Sequence, residues 1–229
     1  MLEFTNGFSK LYRAVYTTEN LTEAWRKVRA NKGGPGVDEV TIEKFQANLF
    51  TNLKNIQHSL QTKNYHPLPV KRIFHRKADG QKRPLGILAL HDRIVQRAVL
   101  NVIEPVFESG FEECCCAFRK GRSIRNAIES VLRLGEYGYF WAVDTDIKKF
   151  FDNIDLDLLK NLIKGKIRDR QINRLIDHWL KLGVARLEQR GLFRKEKAIG
   201  ILQGSLCKAL DNPPYAKKVI MQSNIYKTL

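Results

Sequence analysis

The segment Val143-Asp-Thr-Asp-Ile-Lys-Lys-Phe-Phe-Asp-Asn-Ile154 holds the residues best suited to chemistry. Side chains alternate along a strand, so Asp144 and Asp146 share one face, with Trp141, Val143 and Thr145 on the other. A carboxylate at a strand end is an unusual placement in a chain of formal net charge +16. Phosphoryl and nucleotidyl transfer need such groups. Two Mg²⁺ ions ~3.5–4 Å apart stabilise the attacking and leaving oxygens, and carboxylates hold them. The competing assignment makes Asp144, Asp146, Asp152 and Asp155 helix caps and surface charges. Of the four, Asp146 fits that assignment least.

The charge around this segment is concentrated. Lys63 to Arg97 carries nine basic residues against two acidic, and Lys160 to Lys197 carries twelve against four. Basic residues gathered in stretches of a folded chain point to a polyanion, most often nucleic acid, over a merely basic surface. With 229 residues, 43% of them hydrophobic, the chain is long enough to bury a core and is not a disordered tail. No uncharged apolar run approaches the ~18–20 residues of a membrane span, so no membrane partner is expected. The N-terminus lacks a basic patch followed by an apolar stretch, and four cysteines do not make a disulfide scaffold. A reducing, cytoplasmic setting is the expectation.

The elements that must position these residues are mixed. Asn20 to Arg29 reads as a helix capped by Asn20 or Thr22 and ended by Gly33-Gly34. Ile42, Phe45, Leu49, Leu53, Ile56 and Leu60 predict one long amphipathic helix started near Thr41. Pro67 to Arg76 reads as a strand, Ala78-Asp-Gly-Gln as a turn, and Arg83-Pro-Leu-Gly-Ile as the return. A helix is expected from His91 to Phe107, bent or ended by Pro105. Ser123 should cap another, carrying Ala127, Ile128, Val131 and Leu132. Tyr139 to Asp146 reads as a strand, and Asp155 caps the helix that follows. Ile172, Leu175, Ile176 and Trp179 mark a further helix, and Ala185 to Gly200 a basic hairpin. Helices and strands without a regular βα alternation predict an α+β fold rather than a doubly wound sheet.

Several motifs stand in order. They are Asn31-Lys-Gly-Gly-Pro-Gly-Val-Asp38, Tyr65-His-Pro-Leu-Pro-Val-Lys-Arg-Ile73, Lys77-Ala-Asp-Gly-Gln-Lys-Arg-Pro-Leu-Gly-Ile87 and Asp92-Arg-Ile-Val-Gln-Arg97. Phe118-Arg-Lys-Gly-Arg-Ser123, the Asp146 segment and Gly200-Ile-Leu-Gln-Gly204 follow. Together they resemble bacterial reverse transcriptases of the group II intron type, including CRISPR-associated and retroelement relatives. The ordered set is specific where any single motif would be weak. The resemblance implies a right-hand polymerase fold, with an N-terminal extension and fingers over 1–138 and an incomplete palm over 139–229.

It also implies roles. Asp146 and the Ile147 carbonyl would bind catalytic Mg²⁺ or Mn²⁺. Lys77 and Arg83, on the two arms of the fingers hairpin, would hold the triphosphate of a dNTP as point charge and planar fork. Phe151 would reject a 2′-OH by bulk. Gln203 would shape the pocket beside base and primer, and Arg119 and Arg122 would meet template or nucleotide. The implied partners are an RNA template, a DNA primer and dNTP. For the intron-encoded and CRISPR-associated branches, intron RNA or CRISPR-associated proteins are added.

The departures matter equally. The family's second catalytic motif, an aromatic residue, a variable one and two aspartates, does not occur after Gln203, where Asp211 is the only acidic residue. From Ser205 onward the chain no longer resembles the family, which suggests a truncated or frameshifted polymerase. The alternative is a catalytically inactive RNA-binding remnant or maturase-like module. Leu88 and Leu202 stand where the family often has Pro. Cys114-Cys-Cys116 lacks the spacing of a zinc site and reads as buried or adventitious thiols.

Overall fold

A computed structural model describes residues 10–76, 80, 82–117, 119–141, 154–182, 184–187 and 193–196. Helices α1 (Lys10–Val15), α2 (Thr18–Ala30), α3 (Ile42–Ala47) and α4 (Leu49–Gln61) come first. Strands β1 (Val70–Arg76) and β2 (Lys82–Ile87) lead into α5 (Leu90–Glu108) and α6 (Ile124–Glu136). Then come α7 (Leu156–Lys166), α8 (Arg170–Leu180), β3 (Val184–Leu187) and β4 (Phe193–Glu196).

Helix α5 is the central pillar. Its residues Ile94, Val95, Ala98, Val99, Ile103 and Phe107 are buried at 0–1% exposure. They join one cluster with Leu21 and Trp25 of α2, Leu60 of α4, Ile163 of α7 and Ile172 of α8. That core draws side chains from both sides of residue 138. The helix spans Leu90–Glu108, within one residue of the expected His91 to Phe107, with Pro105 inside it. The chain continues a further turn to Glu108, and burying Phe107 offsets the lost hydrogen bond.

Two expectations about helices are corrected. The cap of α2 is Thr17, whose hydroxyl accepts from the Asn20 amide, and not Asn20 or Thr22. The Asn20 side chain instead donates to the carbonyls of Ala14, Val15 and Ala98, fastening α1 to α5. Helix α2 ends before Gly33-Gly34, and the residue in the left-handed region is Lys32, with φ +47°. The expected long helix from Thr41 is two, broken at Asn48 (φ −124°, ψ 40°), although Thr41 does cap the first. Asn52 Nδ2 donates to the Phe45 carbonyl at 2.9 Å, satisfying a group the break leaves open. The break lets Phe45 stack on Trp25 at 5.0 Å between ring centroids while Ile56 and Leu60 face the core.

Strands run β2-β1-β3-β4. Both hairpins are antiparallel, as their sequences imply. A parallel pairing, Val70 with Val184 and Lys71 with Ala185, joins them into one sheet. No local pattern announces that pairing. Gly80, at φ +79°, lies between β1 and β2 in a conformation other residues rarely take.

Ser123 caps α6 through a capping box with Asn126, and Asp155 caps α7, both as expected. Nothing on α6 is buried. Ile124 is 81% exposed and Val131 68%, and Tyr139 to Trp141 follow without strand structure, Trp141 at 99% exposure. The rest of the expected strand, through Asp146, lies outside the described residues.

Candidate active site and nucleic-acid interface

The described residues resume on both sides of the Asp146 segment. Asp155 accepts at Oδ1 from the amides of Asp157 (2.9 Å) and Leu158 (3.0 Å), so this carboxylate is spent on capping α7. Ile154 packs against the core just before it. Between Trp141 and Ile154, the candidates Asp146, Ile147 and Phe151 lie outside the described residues, as do Lys77 and Gln203. The backbone of Arg83 is placed. It pairs with His75, one rung from the Arg76–Lys82 pair that closes the β1–β2 ladder.

The two remaining candidates are held by carboxylates. Arg119 donates Nε and Nη2 to Glu108 Oε1 at 3.0 and 2.8 Å, and Nη1 to the carbonyls of Glu112 and Cys115 at 2.8 and 3.0 Å. Its side chain is 7% exposed and lies over the Phe111 ring. Four of its five N–H groups thus tie the loop after α5 back onto that helix, leaving little of the fork for a ligand. Arg122 hydrogen-bonds Glu113 and keeps about a third of its side chain exposed. Within the same loop Cys115 is buried, and burial first, then Cys114, raises its thiol pKa. No metal-ligating group of side chains occurs among the described residues.

The best-defined polar cluster is one that sequence reasoning did not single out. Asp92, in the first turn of α5, is fully buried. Its Oδ1 accepts from the Tyr65 hydroxyl at 2.5 Å and its Oδ2 from the Leu68 amide at 3.0 Å. Trp179 Nε1 of α8 donates to the Tyr65 hydroxyl at 3.2 Å. His91 bridges outward, with Nε2 at 3.1 Å from Asp92 and Nδ1 at 3.7 Å from Asp38. A signal for this was available. Asp92 shares the apolar stripe of Val95, Val99 and Ile103, and a buried acid demands partners.

The Asn31–Asp38 loop docks on the start of α5. Arg93 Nη2 donates to the Gly34 carbonyl at 2.8 Å, and Gly36 lies against the backbone of Leu88 and Ala89. Glu39 then meets Lys71 Nζ of β1 at 2.5 Å. The loop, the β1–β2 hairpin and the central helix are therefore fastened at one junction.

That junction is pH-sensitive. Burial pushes the His91 imidazole down, but Asp38 and Asp92 outweigh it, and the pKa rises from 6.5 to about 9. A raised pKa gives stability that is complete below pH 6.5 and lost as pH climbs through about 9. In thermal melts across pH 6–10, the wild-type advantage over a His91→Gln variant is expected to shrink by on the order of 2 kcal/mol. A gap unchanged at pH 10 would show that the folded imidazole is not held as a cation.

A family model described as reverse transcriptase (RNA-dependent DNA polymerase) matches residues 75–207, more than half of the chain. Protein YkfC of Escherichia coli (strain K12) is 37% identical over 207 residues, covering 88% of this chain and 53% of its own length. Group II intron-encoded protein LtrA of Lactococcus lactis subsp. cremoris is 36% identical over 180 residues, covering 77% and 29%. The chain thus spans about half the length of the first and under a third of the second. Among solved structures, a chain of a partial Cas6-RT-Cas1–Cas2 complex superimposes with TM-score 0.57 at 18% identity, over 96% of this chain and 35% of that one. At that identity the likeness concerns the fold.

Proposed function

We propose, from the premise that the chain belongs to the reverse transcriptase (RNA-dependent DNA polymerase) family and has its right-hand fold, that it is the fingers and part of the palm of an RNA-directed DNA polymerase. The observation that carries this is the family match across residues 75–207, which contains Lys77, Arg83, Asp146, Phe151 and Gln203. Fingers would occupy 1–138 and palm 139–229. The reaction is transfer of a nucleotidyl group from dNTP to a primer 3′-OH on an RNA template.

Asp146 and the Ile147 carbonyl are oxygen donors, the type that suits Mg²⁺ or Mn²⁺, and would supply part of the implied ion's donor set. When bound, that ion stabilises charge on the reacting oxygens. Lys77 and Arg83, on either side of Gly80 in the sequence, grip the triphosphate, and Gly80 permits a turn between β1 and β2. Phe151 rejects the 2′-OH by bulk, and Gln203 borders the base. Arg119 acts on the nucleotide site indirectly, by holding its loop on α5, while Arg122 is the more available of the two cations. No helix among the described residues is long and apolar enough to cross a membrane, and the proposed setting is the cytoplasm. The intron-encoded relative and the Cas6-RT-Cas1–Cas2 neighbour make intron RNA or CRISPR-associated proteins the further partners to test.

The test is extension of a DNA primer on an RNA template with dNTP and Mg²⁺. The expected result is incorporation that disappears in Asp146→Asn and needs far more dNTP in Lys77→Ala. A second reading, an RNA-binding module without chemistry, is favoured by the charge of Lys160 to Lys197, twelve basic residues against four acidic. A chain that binds the template–primer and never extends it would establish that reading in place of the first.

A further inference from the structure

We propose that the cleft between α7 and α8 is a docking site for the phosphodiester backbone of RNA. This rests on the polymerase reading and deepens it, since it names a face of the protein that holds the nucleic acid. The cleft has a volume of about 430 Å³, and Lys164, Arg168, Arg170 and Arg174 line it against one carboxylate, Asp177. The four cations are exposed. The nearest acid in sequence is already committed. Asp169 is 2% exposed, caps α8 through the amides of Gln171 and Ile172, and accepts the Tyr12 amide at 2.8 Å.

Two observations separate this cluster from an ordinary basic surface. The first concerns ion pairs. Several cations elsewhere are matched, Arg26 and Lys27 with Glu23, Lys71 with Glu39, Arg97 with Glu104, Arg125 with Glu129 and Lys160 with Asp157, whereas others such as Lys44 and Lys54 stand singly and apart. None of the four cleft cations forms an ion pair or hydrogen bond among the described residues. The second concerns helix electrostatics. Lys164 sits in the last turn of α7, where a cation is favoured. Arg168 and Arg170 flank the Asp169 cap at the start of α8, where a cation is disfavoured, and Arg174 is one turn on. Their placement works against the local fold, and their mutual repulsion works against it further.

A concave surface with a net excess of positive charge, three of its cations guanidiniums, matches a run of phosphates. Planar forks bind phosphate oxygens in pairs, and a backbone that is read by phosphate and shape needs no base contacts. The same charge would also attract an anionic lipid surface, so the test separates the two.

The experiment measures binding of the full chain to a labelled RNA hairpin by fluorescence anisotropy over a series of salt concentrations. The variant is Arg168→Gln/Arg170→Gln/Arg174→Gln. A control of equal charge change, Arg26→Gln/Lys44→Gln/Lys54→Gln, lies on α2, α3 and α4. The cleft variant is expected to lose about 10–100-fold in affinity and to flatten the log K against log salt slope by ~2–3, one increment of 0.7–0.9 per lost phosphate contact. The control should stay within about threefold, as a change of screened surface charge. Matching thermal melts confirm that the three exposed substitutions leave the fold intact. Equal losses in variant and control would overturn the proposal, because the attraction would then be diffuse. So would binding to phosphatidylserine vesicles in preference to the hairpin. Primer extension, measured alongside, keeps the two readings apart. A wild-type chain that never extends while the cleft variant loses RNA refutes the polymerase alone. Extension with unchanged hairpin binding by the variant refutes the cleft alone.

Discussion

Replacing Asp92 with alanine is expected to lower the free energy of unfolding by about 3–5 kcal/mol, the range for removing one partner from a buried charged network. The carboxylate is at 0% exposure, and both oxygens are occupied. Its removal leaves the Leu68 amide without an acceptor where the chain enters β1. It leaves the Tyr65 hydroxyl, which also accepts from Trp179, with no acceptor of its own at this point. It also takes from His91 the nearer of its two carboxylates, so the cation that the junction favours is no longer supported there. The three segments this group ties, the approach to β1, the start of α5 and the end of α8, are otherwise joined mainly by apolar contacts. Asp92→Asn should lose less, since an amide oxygen can still accept from Leu68. Urea denaturation of the two variants reads the difference directly. A loss below about 1 kcal/mol for Asp92→Ala would mean that water replaces the carboxylate and that the junction is not the rigid post described here.

The loss would reach the proposed active site through position alone. Val70, three residues beyond Pro67, starts the strand on which the β1–β2 hairpin is built, and it is completely buried beside Leu88 and Leu182. If Leu68 is released, the base of the hairpin is released with it. Arg83 is carried at the far end of that hairpin.

Sequence periodicity was informative where a structural decision is local. The apolar faces of α5 and α8, the caps Thr41, Ser123 and Asp155, and both hairpins follow from spacing and side-chain chemistry within a few residues. It misled where a distant partner decides. Asn48 interrupts an apolar repeat that looks continuous, because Phe45 turns toward Trp25, twenty residues upstream. The repeat of Ala127, Ile128, Val131 and Leu132 marks the helix, yet a stripe carries no information about what covers it, and Ile128, Val131 and Leu132 are exposed. The same distinction applies to the site. For Arg119 the sequence allowed either a ligand contact or a pairing with a nearby Glu, and only the structure shows which Glu, Glu108, eleven residues away. The parallel register of Val70 with Val184 spans more than a hundred residues and has no local signature at all.

Gly36→Ala is expected to cost about 2–4 kcal/mol, because the added carbon meets main chain rather than a side chain able to turn aside. A Cβ at this position would lie 2.4 Å from Ala89 Cα, 2.5 Å from Ala89 N and 2.9 Å from the Leu88 carbonyl carbon. Nothing near it can yield without moving the start of α5 or lifting the loop. The neighbouring glycines supply the comparison. At Gly34 a Cβ meets nothing within 4 Å, so Gly34→Ala should be neutral or slightly stabilising, by ~0.4–1 kcal/mol through the unfolded chain. At Gly33 the obstacle is Arg93 Nη1, the end of a flexible side chain, so the effect should be intermediate. The order Gly36, Gly33, Gly34 in thermal melts therefore reports close approach rather than glycine content. Lifting the loop also withdraws Asp38 from His91 and Glu39 from Lys71. Amide hydrogen exchange should then quicken in β1 as well as in residues 31–40. Fast exchange confined to the loop, with β1 unchanged, would show that the loop is only an ornament on α5 and does not brace the hairpin.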